Sequence, residues 1–518
     1  MTLLEASFNS RVRETGSSLP AGVPPLAEES SQPIDISVSP GYKGAPDDVE
    51  SILEHYRRIL VPRFPFVPIP TSSSAHELSL KEPFLFKVIT RIVTARKRMS
   101  HDSDQSAFYR WFRQCLADEL LREQRKTLEM LQAILIFTAW GDYYLCGESR
   151  GSDLTQLAIS LVSDMGLDRP PSPATEHTLQ EQRAALGCFY ISSVMRTVLR
   201  QPASLSFTKY MVQCCDRLAK ARDERSDIYL VALVRVQLLA SQWSAALPRE
   251  SVVGWPVVRF DEGTYQAMRS VQTEAEHITY SLSNDIRSDA LLWNVNYHAV
   301  LVRISEAAIH TPSGAASAHH RIQALCSCLQ SCLNVIDSFL AIPVADLTTG
   351  CPLTTMCGLA LALLNIRRLL LLQNDPDWDP TIARQTVDFP GLLTKLGGKF
   401  EEAHCVYYRP HPEGALTETD MVAVTDYNLG YNPDNNDVAA PDHETWQGTG
   451  RPAVLGYLKK VRQLKAWYLS DVSTQEGPVL GNSSFDTIDA GTLFGLELAT
   501  GQAESWLADT AGNDGFLL

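Results

Sequence analysis

The 518-residue chain has no cysteine before Cys115, and none of its 11 cysteines belongs to a Cys-x-x-Cys pair. A structural zinc site needs four converging ligands, usually introduced by that spacing, so no metal site is expected. Cys326, Cys328 and Cys332 lie close together, but helical spacing puts Cys328 and Cys332 on one face and Cys326 on another. They are read as buried thiols packing as small apolar groups, and the scattered cysteines fit a reducing compartment. Uncharged hydrophobic runs of spanning length are also lacking: the most apolar stretches, IYLVALVRVQLLA and LALALLNIRRLLLLQ, carry Arg235, Arg367 and Arg368. The opening MTLLEASFNSRVRETGSS has no apolar core of signal-peptide length. Neither secretion nor a membrane span is therefore expected. Basic residues are in deficit, 45 Lys and Arg against 60 Asp and Glu, a net charge of −15. That balance disfavours nucleic-acid binding by bulk electrostatics.

Alternating apolar and polar runs, the mark of half-buried strands, are almost absent too. What is there instead is helical periodicity. Ile52, Tyr56 and Ile59 recur at three and four positions, as do Leu128, Leu131, Ile134 and Leu135, then Leu157, Leu161 and Met165. Similar runs follow near 181–200, 226–247, 264–282, 287–309, 320–340, 354–373 and 391–405. The expected fold is all-α: a large irregular multi-helix domain over 46–410. It follows a Ser/Pro/Gly-rich disordered leader, 1–45, and precedes a loop-rich linker, 411–450, and one more helix, 451–468. Residues 469–518 form an acidic tail. From 466 onward there is no basic residue but there are eight Asp or Glu, interleaved with aromatics including Phe485, Phe494, Trp506 and Phe516. Such a pattern reads either as an amphipathic activation segment or as a soluble disordered tail.

Three constellations resemble enzyme chemistry. GESRG, Gly147 to Gly151, matches the G-x-S-x-G elbow with Ser149 as nucleophile, giving a serine hydrolase as the alternative reading. The elbow needs a strand entering the turn, yet the helical phase from Leu128 continues through Tyr144, and no Gly-rich run offers an oxyanion hole. DPDWD supplies Asp375, Asp377 and Asp379 for metal-dependent cyclase chemistry, but Pro376 and Pro380 break the helix that would present them. NDIRSDALL imitates a second metal motif of such enzymes but ends at Leu292 where a Glu is required. ARKRMS, with Arg96 and Arg98, is the strongest basic run and suits a helix C-terminus. No catalytic residue and no cofactor is assigned.

RFPFVPIP, Arg63 to Pro70, has P-x-x-P spacing suited to polyproline recognition. Phe64, Phe66, Val67 and Ile69 leave it almost no polar face, so burial as a strap is expected, each buried Phe contributing about 1.5–3 kcal/mol. The strap begins an ordered series: FPFVPIP, KEPFLFKVITRIVTARKRM, KTLEMLQAILIFTAWGDYYL, LTQLAISLVSDMGLDRPP, then EQRAALGCFYISSVMRTVLRQPASLSFTKYMVQCCDRL. Taken together it resembles the middle homology region of fungal zinc binuclear cluster transcription regulators, well over residues 48–220 and loosely to about 410.

The resemblance implies an all-helical regulatory domain, nuclear action, homo- or heterodimerisation, and control of genes, often those of a secondary-metabolite pathway. It also implies that the body receives a signal from a partner or a small-molecule effector, while the tail contacts transcription machinery. Members carry two zinc-bound Cys-x2-Cys-x6-Cys arms ahead of this region; here no cysteine precedes Cys115, so no DNA-contacting residue is assigned. Action through a DNA-binding partner, an incomplete version of a longer regulator, or another use of the fold all follow as readings, the last including a ligand-sensing or scaffold protein.

Overall fold

The structure is a computed structural model. It describes residues 46–97, 102–141, 151–171, 176–199, 205–221, 226–247, 249–252, 255–258, 260–282, 292–310, 318–348, 350–373, 375, 378–408 and 453–476. The leader, 1–45, lies outside these, as do 409–452 and 477–518.

Helices α1 (Pro46–His55), α2 (Ala75–Lys81), α3 (Pro83–Lys97), α4 (Asp102–Ala117), α5 (Leu128–Trp140) and α6 (Gly151–Asp164) come first. α7 (Leu179–Leu199), α8 (Lys209–Ala221), α9 (Asp227–Ala246), α10 (Glu262–Ser281), α11 (Trp293–Ser305) and α12 (Ala318–Ala341) follow. The chain then forms α13 (Val344–Thr348), α14 (Leu353–Leu371), α15 (Pro380–Thr386), α16 (Phe389–Tyr408) and α17 (Ala453–Glu476). The all-α expectation holds, with one addition among the described residues. β1 (Arg249–Val252) pairs antiparallel with β2 (Trp255–Val258), Arg249 opposite Val258 and Val252 opposite Trp255. Ten residues between two long helices gave too short a periodic signal to separate from loop.

Local chemistry sets several helix starts. Thr178 and Glu181 form a reciprocal capping box: the Glu181 amide donates to Thr178 Oγ1 at 3.2 Å, and the Thr178 amide donates to Glu181 Oε2 at 2.7 Å. Thr127 caps α5 and Asp261 caps α10. α5 ends at Trp140 with Gly141 after it, and the positions up to Tyr144 lie outside the described residues. The helix expected from 287 is described from Trp293.

Core formation explains the most apolar sequences. α14 packs on α5, α7, α11 and α12 and is buried on all sides. α9, α12 and α14 are long and apolar enough to cross a membrane, and their most apolar windows are 61%, 50% and 94% buried within this fold. A helix apolar all round belongs in such an interior.

The strap is buried as expected. Phe64 and Phe66 are 2% and 0% exposed. A wider i→i+5 turn over Tyr56–Leu60, with the Val61 amide donating to Tyr56 O at 3.0 Å, swings the chain off α1. Tyr56 then donates its hydroxyl to Val67 O at 2.7 Å. The Arg57 guanidinium donates to Ile69 O at 3.2 Å and Pro70 O at 2.6 Å, and also to Ser73 O. Strap carbonyls that proline-rich backbone cannot pair with a ladder are thus satisfied by side chains. Phe66 sits against Gly187 of α7, where a Cβ would lie 2.7 Å from Phe66 Cβ, so only glycine leaves room for the ring. Arg63 donates to Asp346 O at 2.9 Å and Gly350 O at 2.8 Å, tying the strap to a loop 283 to 287 positions further along the chain.

Candidate functional site

A cavity of about 30 Å³ lies where α7, α9, α11 and α14 meet. Tyr190, Gln237, Asn296, Arg303 and Thr354 bring polar groups to a lining otherwise made of residues such as Val194, Leu233 and Leu361. One ordered water needs about 10–15 Å³, so the space suits about two waters rather than an organic effector. α11 and α14 approach most tightly beside it: a Cβ on Gly358 would meet Ala299 Cβ at 3.0 Å.

The walls are fixed from outside. Tyr190 stacks on Phe66, centroids 5.2 Å apart, so the strap braces the cavity. Burial pushes the Tyr190 phenol well up from its usual range, keeping it a neutral hydrogen-bonding group. Gln237 Nε2 donates to Ser193 Oγ at 3.0 Å. Arg303 forms an ion pair with Glu306, whose other oxygen accepts from Asn365 Nδ2 at 3.0 Å. Deeper still, Arg183 grips Asp227 with two bonds of 2.8 and 3.0 Å, at 2% and 0% side-chain exposure. Both charges are compensated, and the bidentate geometry locks α7 to α9.

The Cys357 thiol is pushed up to about 12 by burial, and Cys188 is also raised, so neither is a thiolate nucleophile near neutral pH. Cys328 and Cys332 are buried on one face, as expected, but Cys326 on another face is exposed, so the buried-thiol reading fails for it: its face of the helix points away from the core. Among the described residues no group of three or more His, Cys, Asp or Glu could hold a metal ion. Asp375 accepts two bonds from buried Arg321, and Asp379 caps α15 through the Thr381 amide, so both have local structural work.

Ser149 lies outside the described residues, which resume at Gly151 with α6, the helix expected downstream of it. Phe485, Phe494, Trp506 and Phe516 also fall outside, as does Arg98 of the basic run. The cavity residues were not singled out from the sequence. The available signal was a polar residue inside an apolar helical run, Gln237 in VRVQLLA or Thr354 before MCGLALAL.

The chain is 26% identical over 381 residues to transcription factor opdL of Penicillium oxalicum, covering 68% of this chain and 65% of that protein. It is 25% identical over 313 residues to transcription factor himD of Aspergillus japonicus, covering 57% and 51%. To transcription factor pbcR of Emericella nidulans it is 24% identical over 226 residues, covering 39% and 30%. The aligned part is thus less than two thirds of the length of these curated relatives. No protein-family model matches the sequence. No solved structure matches it either. The chain is a distant relative of fungal proteins named as transcription factors.

Proposed function

We propose that this chain is a nuclear regulator of transcription, with the helical body as its regulatory part and the acidic tail as its contact to the transcription machinery. The observation that carries this reading is the 381-residue similarity to a protein named as a transcription factor.

The finer reading is that it controls genes of a secondary-metabolite cluster. DNA is then recognised by a partner protein, in a homo- or heterodimeric assembly, or by a zinc cluster outside the given residues. Deleting the gene and measuring neighbouring transcripts tests it: a coherent rise or fall of a contiguous set is expected, and unchanged expression everywhere overturns it. The tail is tested separately. Because α17 runs to Glu476, the segment to tether to an unrelated DNA-binding domain is 477–518. Reporter activation is expected and should fall when Phe485, Phe494, Trp506 and Phe516 are changed to Ala.

A further inference from the structure

The cavity where α7, α9, α11 and α14 meet is lined with more hydrogen-bonding capacity than the surrounding protein uses. Gln237, 5% exposed, donates its side-chain amide to Ser193 Oγ, while its Oε1 accepts from no donor among the described residues. Asn296, 9% exposed, lines the same space. The Tyr229 hydroxyl is buried beside the Asn296 amide but completes no hydrogen bond among the described residues. On the walls given by α7 and α14, the Tyr190 and Thr354 hydroxyls lie next to each other. An amide or hydroxyl withdrawn from bulk water without a partner destabilises the fold, and buried polar groups that protein does not reach are ordinarily served by ordered water.

The lining carries one charged side chain, Arg303, and Glu306 answers it in an ion pair. Burial holds Tyr190 neutral. An anion or a cation would therefore enter without a counter-charge of its own, a costly transfer into an interior. Size excludes an organic molecule: the space is about 30 Å³, against about 10–15 Å³ for each water. The occupant that fits is small, neutral and able to donate to Gln237 Oε1 while accepting from an amide or hydroxyl.

We propose that this cavity is a binding site for two ordered waters, which donate to Gln237 Oε1, pair with the Asn296 amide and close a chain to the Tyr190 and Thr354 hydroxyls. Held by water, the Asn296 amide is turned so as to serve the Tyr229 hydroxyl. The four helices are thereby linked through solvent, and a water-mediated link is enthalpically close to a direct hydrogen bond. The proposal is independent of the transcription reading.

The test is the density in crystals of the full chain at high resolution, one set in ordinary solvent and one under xenon pressure. Two peaks are expected in the first, each about 2.7–3.2 Å from at least two of the named polar groups. No xenon is expected in the second, because xenon enters dry apolar cavities. The Asn296→Leu chain should lose at least one of the two peaks. A wild-type cavity without ordered density, or one that takes up xenon, overturns the proposal, and density for a larger molecule overturns the assignment to water. In solution, full chain labelled with nitrogen-15 asparagine gives a second reading that needs no crystal. The side-chain amide signal of Asn296, identified by its loss in Asn296→Leu, should show a cross-peak to long-lived water, and the lack of that cross-peak overturns the proposal as well.

Discussion

The strap after α1 and helix α17 are both outlying pieces laid against the same helical body, and they are fastened by different chemistry. The strap places backbone as well as side chains inside: Tyr56, Arg57 and Arg63 reach its own carbonyls or those of the loop near Gly350, and Phe66 fills the notch at Gly187. α17 satisfies its own backbone internally and offers only a stripe of side chains. A segment without secondary structure must be integrated to be stable, because its polar backbone has nowhere else to go. A helix is already satisfied and can be docked or undocked as a unit.

The largest expected effect separates the two directly. Phe66→Ala should lower the unfolding free energy of the whole body by about 3–5 kcal/mol, seen as a shifted urea midpoint with one cooperative transition. Leu464 is equally buried, both side chains being 0% exposed. If α17 is separable, Leu464→Ala removes hydrogen-exchange protection from 453–476 while the body's transition moves by less than about 1 kcal/mol. Equal global losses from the two substitutions would break the distinction.

The body between them gives a pH reference. Burial lowers His298 of α11 to about 4 from an ordinary 6.5. The folded state keeps it neutral while the unfolded chain takes up a proton, so its contribution is present above about 6.5 and is lost as pH falls toward 4. Between pH 7 and pH 5 this amounts to about 2 kcal/mol, and His298→Asn should remove that part of the acid-side slope in urea titrations at both pH values.

Smaller effects sharpen the picture. Tyr56→Phe leaves Val67 O without its donor and should cost about 1 kcal/mol by thermal melting. Arg462→Ala on α17 breaks the exposed pair with Glu401 of α16 and should cost no more than about 0.5 kcal/mol.

How far the sequence announced these features follows from the range of the forces involved. The strap was legible because Phe64, Phe66, Val67 and Ile69 crowd eight residues with apolar surface that water would not tolerate together. α14 was legible by its long apolar run, interrupted only near its end by Asn365, Arg367 and Arg368. α17 was legible up to Tyr468 but not through SDVSTQE, whose helical state is supported by a pairing of Asp471 with Arg367, 104 positions away. The cavity was not legible, since Gln237, Asn296 and Thr354 come together only through four helices distant in sequence. The hairpin at 249–258 was missed because four-residue strands carry too little periodicity.

Arg63 has a consequence for synthesis on the ribosome. Its acceptors on Asp346 and Gly350 lie 283 and 287 positions downstream. At translation rates of roughly 5–20 residues per second, the emerging strap waits about 15 seconds to a minute before those acceptors exist. Phe66 gains its own partners Gly187 and Tyr190 earlier, 121 and 124 positions on, so the strap is enclosed first and tied last.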